Sequence, residues 1–176
     1  MKNLFDISGR VMVITGGYGI LGRHIAAYLV AQGAKVVIVG RSAEKGQALV
    51  DELKTTGEAL FCQADVLDRE ALTAARDTII ATYGTIDVLI NAAGGNMPGA
   101  TIAPDKTFFD LDVEAVRKVV DLNLFGTIIS TQVFVETMAK AGQGVIVNFS
   151  SESALRPLTR VCGYGAAKAA IANYTQ

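Results

Sequence analysis

Five apolar runs of strand length, Val11 to Thr15, Lys35 to Val39, Ala59 to Gln63, Asp87 to Ile90 and Gly144 to Ser150, alternate with segments of helical spacing. This alternation constrains the fold more than any other property of the chain, because it predicts a parallel sheet with helices on both faces. Runs such as VMVIT and KVVIV are apolar nearly throughout, as strands covered on both sides should be. The expected helices are Leu21 to Gln32, Glu44 to Thr56, Arg69 to Tyr83, Val113 to Ala141 and Gly163 onward. Ser42 and Asp68 are the expected N-caps, with Gly33, Gly57 and Gly84 as stops. The predicted architecture is α/β: a doubly wound parallel sheet in three α/β/α layers.

A chain of 176 residues, 51% of them apolar, suits one domain with a real core. A formal charge of -1 leaves no basic field, so no nucleic-acid partner is expected and the substrate should be a small molecule. Cys62 and Cys162 lie far apart without metal-type spacing; two buried or half-buried thiols are expected, and no metal site. The first residues, MKNLFDISGR, lack the apolar region of a secretory signal, and no apolar run reaches the roughly 18 residues of a membrane span. A cytoplasmic location without a membrane partner is the expectation.

The turn after the first strand reads TGGYGILG and opens the first helix. Gly16, Gly17 and Gly19 let the backbone approach a pyrophosphate, and a helix N-terminus offers free N–H groups and partial positive charge. Gly16, Gly17, Tyr18, Gly19, Ile20, Leu21 and Gly22 are therefore candidate cofactor residues. At the end of the second strand an acid would bond a ribose 2′-hydroxyl and an arginine would accommodate a 2′-phosphate. Here Gly40 holds the acid's place and Arg41 follows, which favours NADP over NAD, although Arg41 also suits a solvated position before a capped helix. Asp65 and Val66 follow the third strand, where a carboxylate can accept from an adenine amino group or simply form a turn. Asn91, Ala92, Ala93 and Gly94 follow the fourth, where small side chains let a cofactor lie against the backbone. The loop from Gly94 to Asp105 lies at a strand's carboxyl end, where such folds bind ligands.

Toward the end of the chain, SSESALRPLTRVCGYGAAK places Tyr164 and Lys168 four residues apart, with Ser151 thirteen residues before the tyrosine. Positions i and i+4 share a helix face, so the ammonium can stand beside the phenol. A free phenol ionises near pH 10, and a neighbouring cation favours its ionised form. That pairing suits proton transfer in carbonyl reduction.

Thr15 and Gly16 with Gly22, Asp65-Val66, the NAAG of residues 91–94, Asn123 in DLNLFGT, Ser151 and the Tyr164/Lys168 pair resemble the short-chain dehydrogenase/reductase family in order and spacing. The resemblance extends from about Ile7 onward. It implies a Rossmann-type fold and a catalytic tetrad of Asn123, Ser151, Tyr164 and Lys168. Ser151 would bond the substrate oxygen and Tyr164 would give or take its proton. Lys168 would support the phenol and hold the nicotinamide ribose, and Asn123 would hold a water leading to Lys168. Homo-oligomers built through Val113 to Ala141 and the tyrosine helix are also implied.

GGYGILG, NAAGGNMPGAT, FFDLDVEAVRKVVDLNLFGTIISTQVF and SALRPLTRVCGYGAAKAAI are similar to the mannonate-oxidoreductase (fructuronate reductase) subgroup. The aliphatic Ile20-Leu21 before Gly22, unusual for the wider family, fits that subgroup. Arg156 and Arg160 offer guanidinium groups suited to a carboxylate, and Asn96 could bind a hydroxyl; both arginines could equally face solvent or pair with Glu152. The subgroup implies NAD with an acid where Gly40 stands, so the cofactor order is NADP first, NAD second. A 3-oxoacyl thioester or another ketone remains an alternative substrate, and a non-catalytic dinucleotide-binding module an alternative of another class. The resemblance further implies two more strands and a substrate-covering segment after the tyrosine helix. On that basis the sequence reads as a form lacking its final strands, with its last strand at an open edge.

Overall fold

The structure is a computed structural model that describes residue 3 and residues 5–176. Strands β1 (Val11–Thr15), β2 (Lys35–Gly40), β3 (Ala59–Gln63), β4 (Val88–Asn91) and β5 (Val145–Asn148) form a parallel sheet ordered β3-β2-β1-β4-β5. The helices are α1 (Ile20–Ala31), α2 (Ala43–Leu53), α3 (Arg69–Tyr83), α4 (Val113–Val120), α5 (Gly126–Ala141) and α6 (Cys162–Thr175). The expected α/β, Rossmann-like doubly wound architecture is the one observed. Register brings the carboxyl ends level, with Thr15 opposite both Val39 and Asn91 and Asn91 opposite Asn148. The turns after β1, β2, β4 and β5 therefore emerge at one edge, where strand order reverses between β1 and β4 and leaves a crevice.

Strand periodicity divides the core in two. Val11, Val13, Val37, Val39 and Leu89 pack with Leu72, Ala75 and Ile79 of α3 and Val133, Phe134 and Met138 of α5. On the opposite face Met12, Ile14, Val36 and Ile38 pack with Ala26 and Val30 of α1 and Leu49, Val50 and Leu53 of α2. Nearly every strand side chain thus meets a helix, which explains the continuous apolar runs. Strand β5 is different: Val145, Ile146 and Val147 are 56%, 38% and 41% exposed on the sheet's edge.

Ser42 caps α2 by accepting the Lys45 N–H at 3.3 Å, and Asp68 caps α3 by accepting from Glu70 and Ala71. Gly84 ends α3 with φ 79°. Gly57 does not end α2, which stops at Leu53. The expected single helix from Val113 to Ala141 is continuous but not uniform, for a π-helical segment, Asp121–Phe125, joins α4 to α5. Such insertions cluster at functional sites, and this one carries Asn123. By length and composition Val113–Ala141 is long and apolar enough to span a membrane, although no unbroken apolar run within it reaches that length. Its Val133, Phe134 and Met138 are nevertheless packed into the core. Cys62 is buried, its thiol pushed up to about 11 by desolvation, whereas Cys162 is exposed, contrary to expectation.

Candidate active site

A Cβ on Gly16 would lie 2.7 Å from the Ala93 Cα, and one on Gly22 would lie 2.7 Å from both the Gly16 carbonyl oxygen and the Gly17 Cα. Gly16 also has φ 65°, a conformation open to glycine at little cost. The turn is thus folded against its own helix and against the chain leaving β4. The Thr15 hydroxyl accepts the Ala93 N–H at 3.3 Å and ties the same two segments together. Unlike α2, α3 and α4, helix α1 begins without a side-chain cap, on Gly19. Its first N–H groups remain available to an anion. Ile20 and Leu21 are 82% and 64% exposed, and neither lines the cavity beside the turn.

Beside this turn lies a cavity of about 220 Å³ lined by backbone and small side chains. Gly16, Tyr18 and Gly19 form one wall, Gly40, Arg41, Asp65 and Val66 the end beside β2 and β3, and Ala92, Ala93, Gly94 and Leu122 the other wall. An extended dinucleotide suits this combination of an uncapped helix and closely approaching backbone. Asn91 sits apart from it: its side chain is buried, and Nδ2 donates to Thr131 Oγ1 at 3.1 Å and Asn148 Oδ1 at 2.9 Å. Asn91 supports the β4 end from beneath. Asp65 Oδ1 accepts the Leu67 N–H at 3.0 Å, while Oδ2 stands 3.8 Å from Arg41 Nη1.

The cavity's Gly94 end reaches the second cluster. A Cβ there would lie 2.6 Å from Asn123 Oδ1 and 3.4 Å from Lys168 Nζ. Lys168 is only 5% exposed and Nζ donates to the Phe149 carbonyl at 2.8 Å. Desolvation holds the ammonium's pKa below the usual lysine value. Nζ lies 5.7 Å from the centre of the Tyr164 ring. Two glycines seat this part of α6: a Cβ on Gly163 would lie 2.9 Å from Val116 Cγ1, and one on Gly165 would lie 3.0 Å from the Ser153 carbonyl oxygen. The Tyr164 ring packs against the cluster of Met97, Ala100, Ala115, Val116 and Val119.

Ser151 begins the 3-10 turn Glu152–Ala154. Its Oγ accepts from the Ser153 N–H at 3.2 Å and the Ser153 hydroxyl at 2.8 Å, leaving the Ser151 proton free to donate elsewhere. The sequence carries no signal for Ser153 or Phe149, since nothing in a serine or a carbonyl's position announces its partner. The Asn123 side-chain amide is occupied by Gly95 and Val119, and the Asn123 main-chain carbonyl accepts the Thr127 hydroxyl at 2.8 Å. Asn96 donates to Thr101 Oγ1 at 2.8 Å. Arg156 is 86% exposed and pairs with Glu152 at 3.3 Å. Arg160, with φ 67°, donates to the Ile102 and Ala103 carbonyls and accepts the Ile102 N–H.

The family model of short chain dehydrogenases matches residues 10–176. The chain belongs to the short chain dehydrogenase family. Among curated members, an uncharacterized oxidoreductase, UxuB, of Bacillus subtilis is 41% identical over 179 residues, covering 97% of this chain and 64% of the relative. A solved structure from Haemophilus influenza, named as a candidate D-mannonate oxidoreductase and holding bound NAD, is similar at 35% identity and TM-score 0.89. That match covers 97% of this chain and 65% of the other. The actinorhodin polyketide ketoreductase with NADPH is similar at 27% identity and TM-score 0.86, covering 94% of this chain and 62% of that one. The chain therefore spans less than two thirds of the length of these members.

Proposed function

We propose that this chain is the cofactor-binding and proton-handling part of an NAD(P)-dependent oxidoreductase that interconverts a carbonyl and an alcohol on a small sugar acid of the D-fructuronate/D-mannonate type. The observation that carries the reading is Lys168: a buried ammonium one helical turn from Tyr164, at the end of a cavity suited to a dinucleotide. The nicotinamide, when bound, supplies the hydride acceptor or donor. Tyr164 gives the proton to the carbonyl oxygen or takes it from the alcohol, and Ser151, whose own hydrogen is uncommitted, donates to that oxygen. Lys168 places positive charge beside the phenol, and Asn123 holds the Gly95 backbone that borders them.

Arg41, at the adenosine end of the cavity, favours NADP, and bound NAD in the similar Haemophilus protein keeps NAD as the second choice. That protein's name also supports the sugar-acid reading. Arg156 is the better carboxylate ligand of the two arginines, because Arg160 already holds loop carbonyls. Residues 1–176 act in this reading as one dinucleotide-binding unit of a cytoplasmic enzyme. A homo-oligomer through α4, α5 and α6 is supported by the outward Val113 and Phe125, 59% and 48% exposed; a monomer in sedimentation velocity would argue against it.

The test is NADPH- and NADH-linked reduction of D-fructuronate by the protein and by Tyr164→Phe. Turnover that falls by about 10²–10⁴ in the variant is expected. Equal turnover by the variant removes Tyr164 from the chemistry, and reduction of a 3-oxoacyl thioester in preference to fructuronate moves the substrate to that alternative.

A further inference from the structure

Tyr18 stands between two cavities. On one side is the cleft just described, and on the other a space of about 270 Å³ lined by Tyr18, Arg23, Lys45, Ala48, Leu49 and Glu52. With room on both sides, two contacts define where the ring lies. It is pressed against Gly40, where an added Cβ would lie 2.3 Å from Tyr18 Cε1 and 3.0 Å from Oη. Its Oη accepts the Ser42 N–H at 3.0 Å. The ring therefore fills the volume that a side chain at the end of β2 would need. A phenol that accepts from Ser42 still has its own proton to donate, and no acceptor takes that proton among the described residues.

Three cations, Arg41, Arg23 and Lys45, and two carboxylates, Asp65 and Glu52, surround this point. Arg41 Nη1 stands 3.8 Å from Asp65 Oδ2, Arg23 pairs with Glu52 at 3.2 Å, and Lys45 lines the cavity behind the ring. We infer that Tyr18 is a specificity-determining residue for the cofactor's adenosine end. Its ring denies position 40 to a carboxylate that would accept from a ribose 2′-hydroxyl, and its phenol, held by Ser42, donates to a 2′-phosphate beside Arg41. The inference rests on the proposal that the chain binds NADP. It differs from a preference set by Arg41 alone, because it predicts that adding an acid at position 40 is useless while Tyr18 remains.

Nicotinamide fluorescence titration with NADPH and NADH tests it in the wild type, Tyr18→Phe, Gly40→Asp and the double variant Tyr18→Ala with Gly40→Asp. Tyr18→Phe keeps the ring and removes the donor, so the NADPH-over-NADH affinity ratio should fall about tenfold. Gly40→Asp alone should weaken both cofactors, and the double variant should bind NADH more tightly than the single one and prefer it to NADPH. A ratio within about twofold of wild type in Tyr18→Phe, or an NADH gain in Gly40→Asp equal to that of the double variant, overturns the inference while the NADP reading stands. A wild type that binds NADH at least as tightly as NADPH overturns the NADP reading, and the phenol's donor role with it.

Discussion

Asn123 and Gly95 exchange a pair of hydrogen bonds: Asn123 Nδ2 donates to the Gly95 carbonyl at 2.7 Å, and Oδ1 accepts the Gly95 N–H at 3.1 Å. A side-chain amide thereby stands in for a neighbouring strand, fixing the loop after β4 against the π-helical segment. Nδ2 also donates to the Val119 carbonyl at 2.8 Å, one of the acceptors available where the helix widens. Asn123→Ala leaves the buried Val119 carbonyl and the half-buried Gly95 groups without partners, and a loss of about 1–3 kcal/mol is expected. Urea unfolding measures it, and hydrogen exchange at the Gly95 amide should accelerate. An unchanged midpoint would mean that the loop is held by other contacts.

Gly22→Ala should damage both stability and binding. Its Cβ would meet only backbone atoms of Gly16 and Gly17 at 2.7–2.8 Å, so no flexible side chain can give way. The expected cost is about 1–3 kcal/mol, with cofactor affinity reduced at least tenfold because the phosphate turn must open. Thermal melting and nucleotide titration report the two effects separately. Wild-type affinity in the variant would remove this turn from the binding site.

Burial holds Lys168 below the usual value of 10.5, and this has a sign in stability. Below its folded pKa the lysine is charged in both states and the cost of burying the charge is present in full. Between the folded pKa and 10.5 the unfolded chain binds the extra proton, so stability from this residue rises with pH. Cys62, raised from 9.0 to about 11, acts in the opposite direction above 9.0. Urea midpoints followed upward from neutral pH should climb less in Lys168→Met than in the wild type, with Cys62 common to both. Parallel curves would show that the lysine does not feel its burial.

The two thiols should separate cleanly. Cys162 is exposed at the start of α6, and Cys62 is buried with its thiolate disfavoured. A thiol reagent should modify one cysteine in the native protein and the second only on unfolding, with Cys162→Ser abolishing the native reaction. Modification of Cys62 without denaturant would contradict the packing of β3 against α3.

Arg156 and Arg160 should also behave differently. Arg156→Ala removes an exposed ion pair, worth about 0–1 kcal/mol, yet should raise the KM for a sugar acid about tenfold if it binds the carboxylate. Arg160→Ala frees the Ile102 and Ala103 carbonyls and should make the 101–107 loop more sensitive to protease. Equal KM values for wild type and Arg156→Ala would dismiss the carboxylate role.

The periodicity of VMVIT and KVVIV, the caps at Ser42 and Asp68 and the Gly84 stop are local, each written within a few residues, and the structure reproduces them. The parallel α/β architecture follows from their alternation, and the Tyr164/Lys168 spacing from one turn of helix. Tertiary structure alone decided that Asn123 lies in a π-helical segment facing Gly95, that Phe149 accepts from Lys168, and that Arg160 binds a loop rather than standing free. It also pressed Tyr18 onto Gly40. Periodicity reports which face of an element is apolar. It carries no information about which distant backbone atom a polar side chain will meet, because that depends on how strands, helices and loops far apart in sequence are brought together.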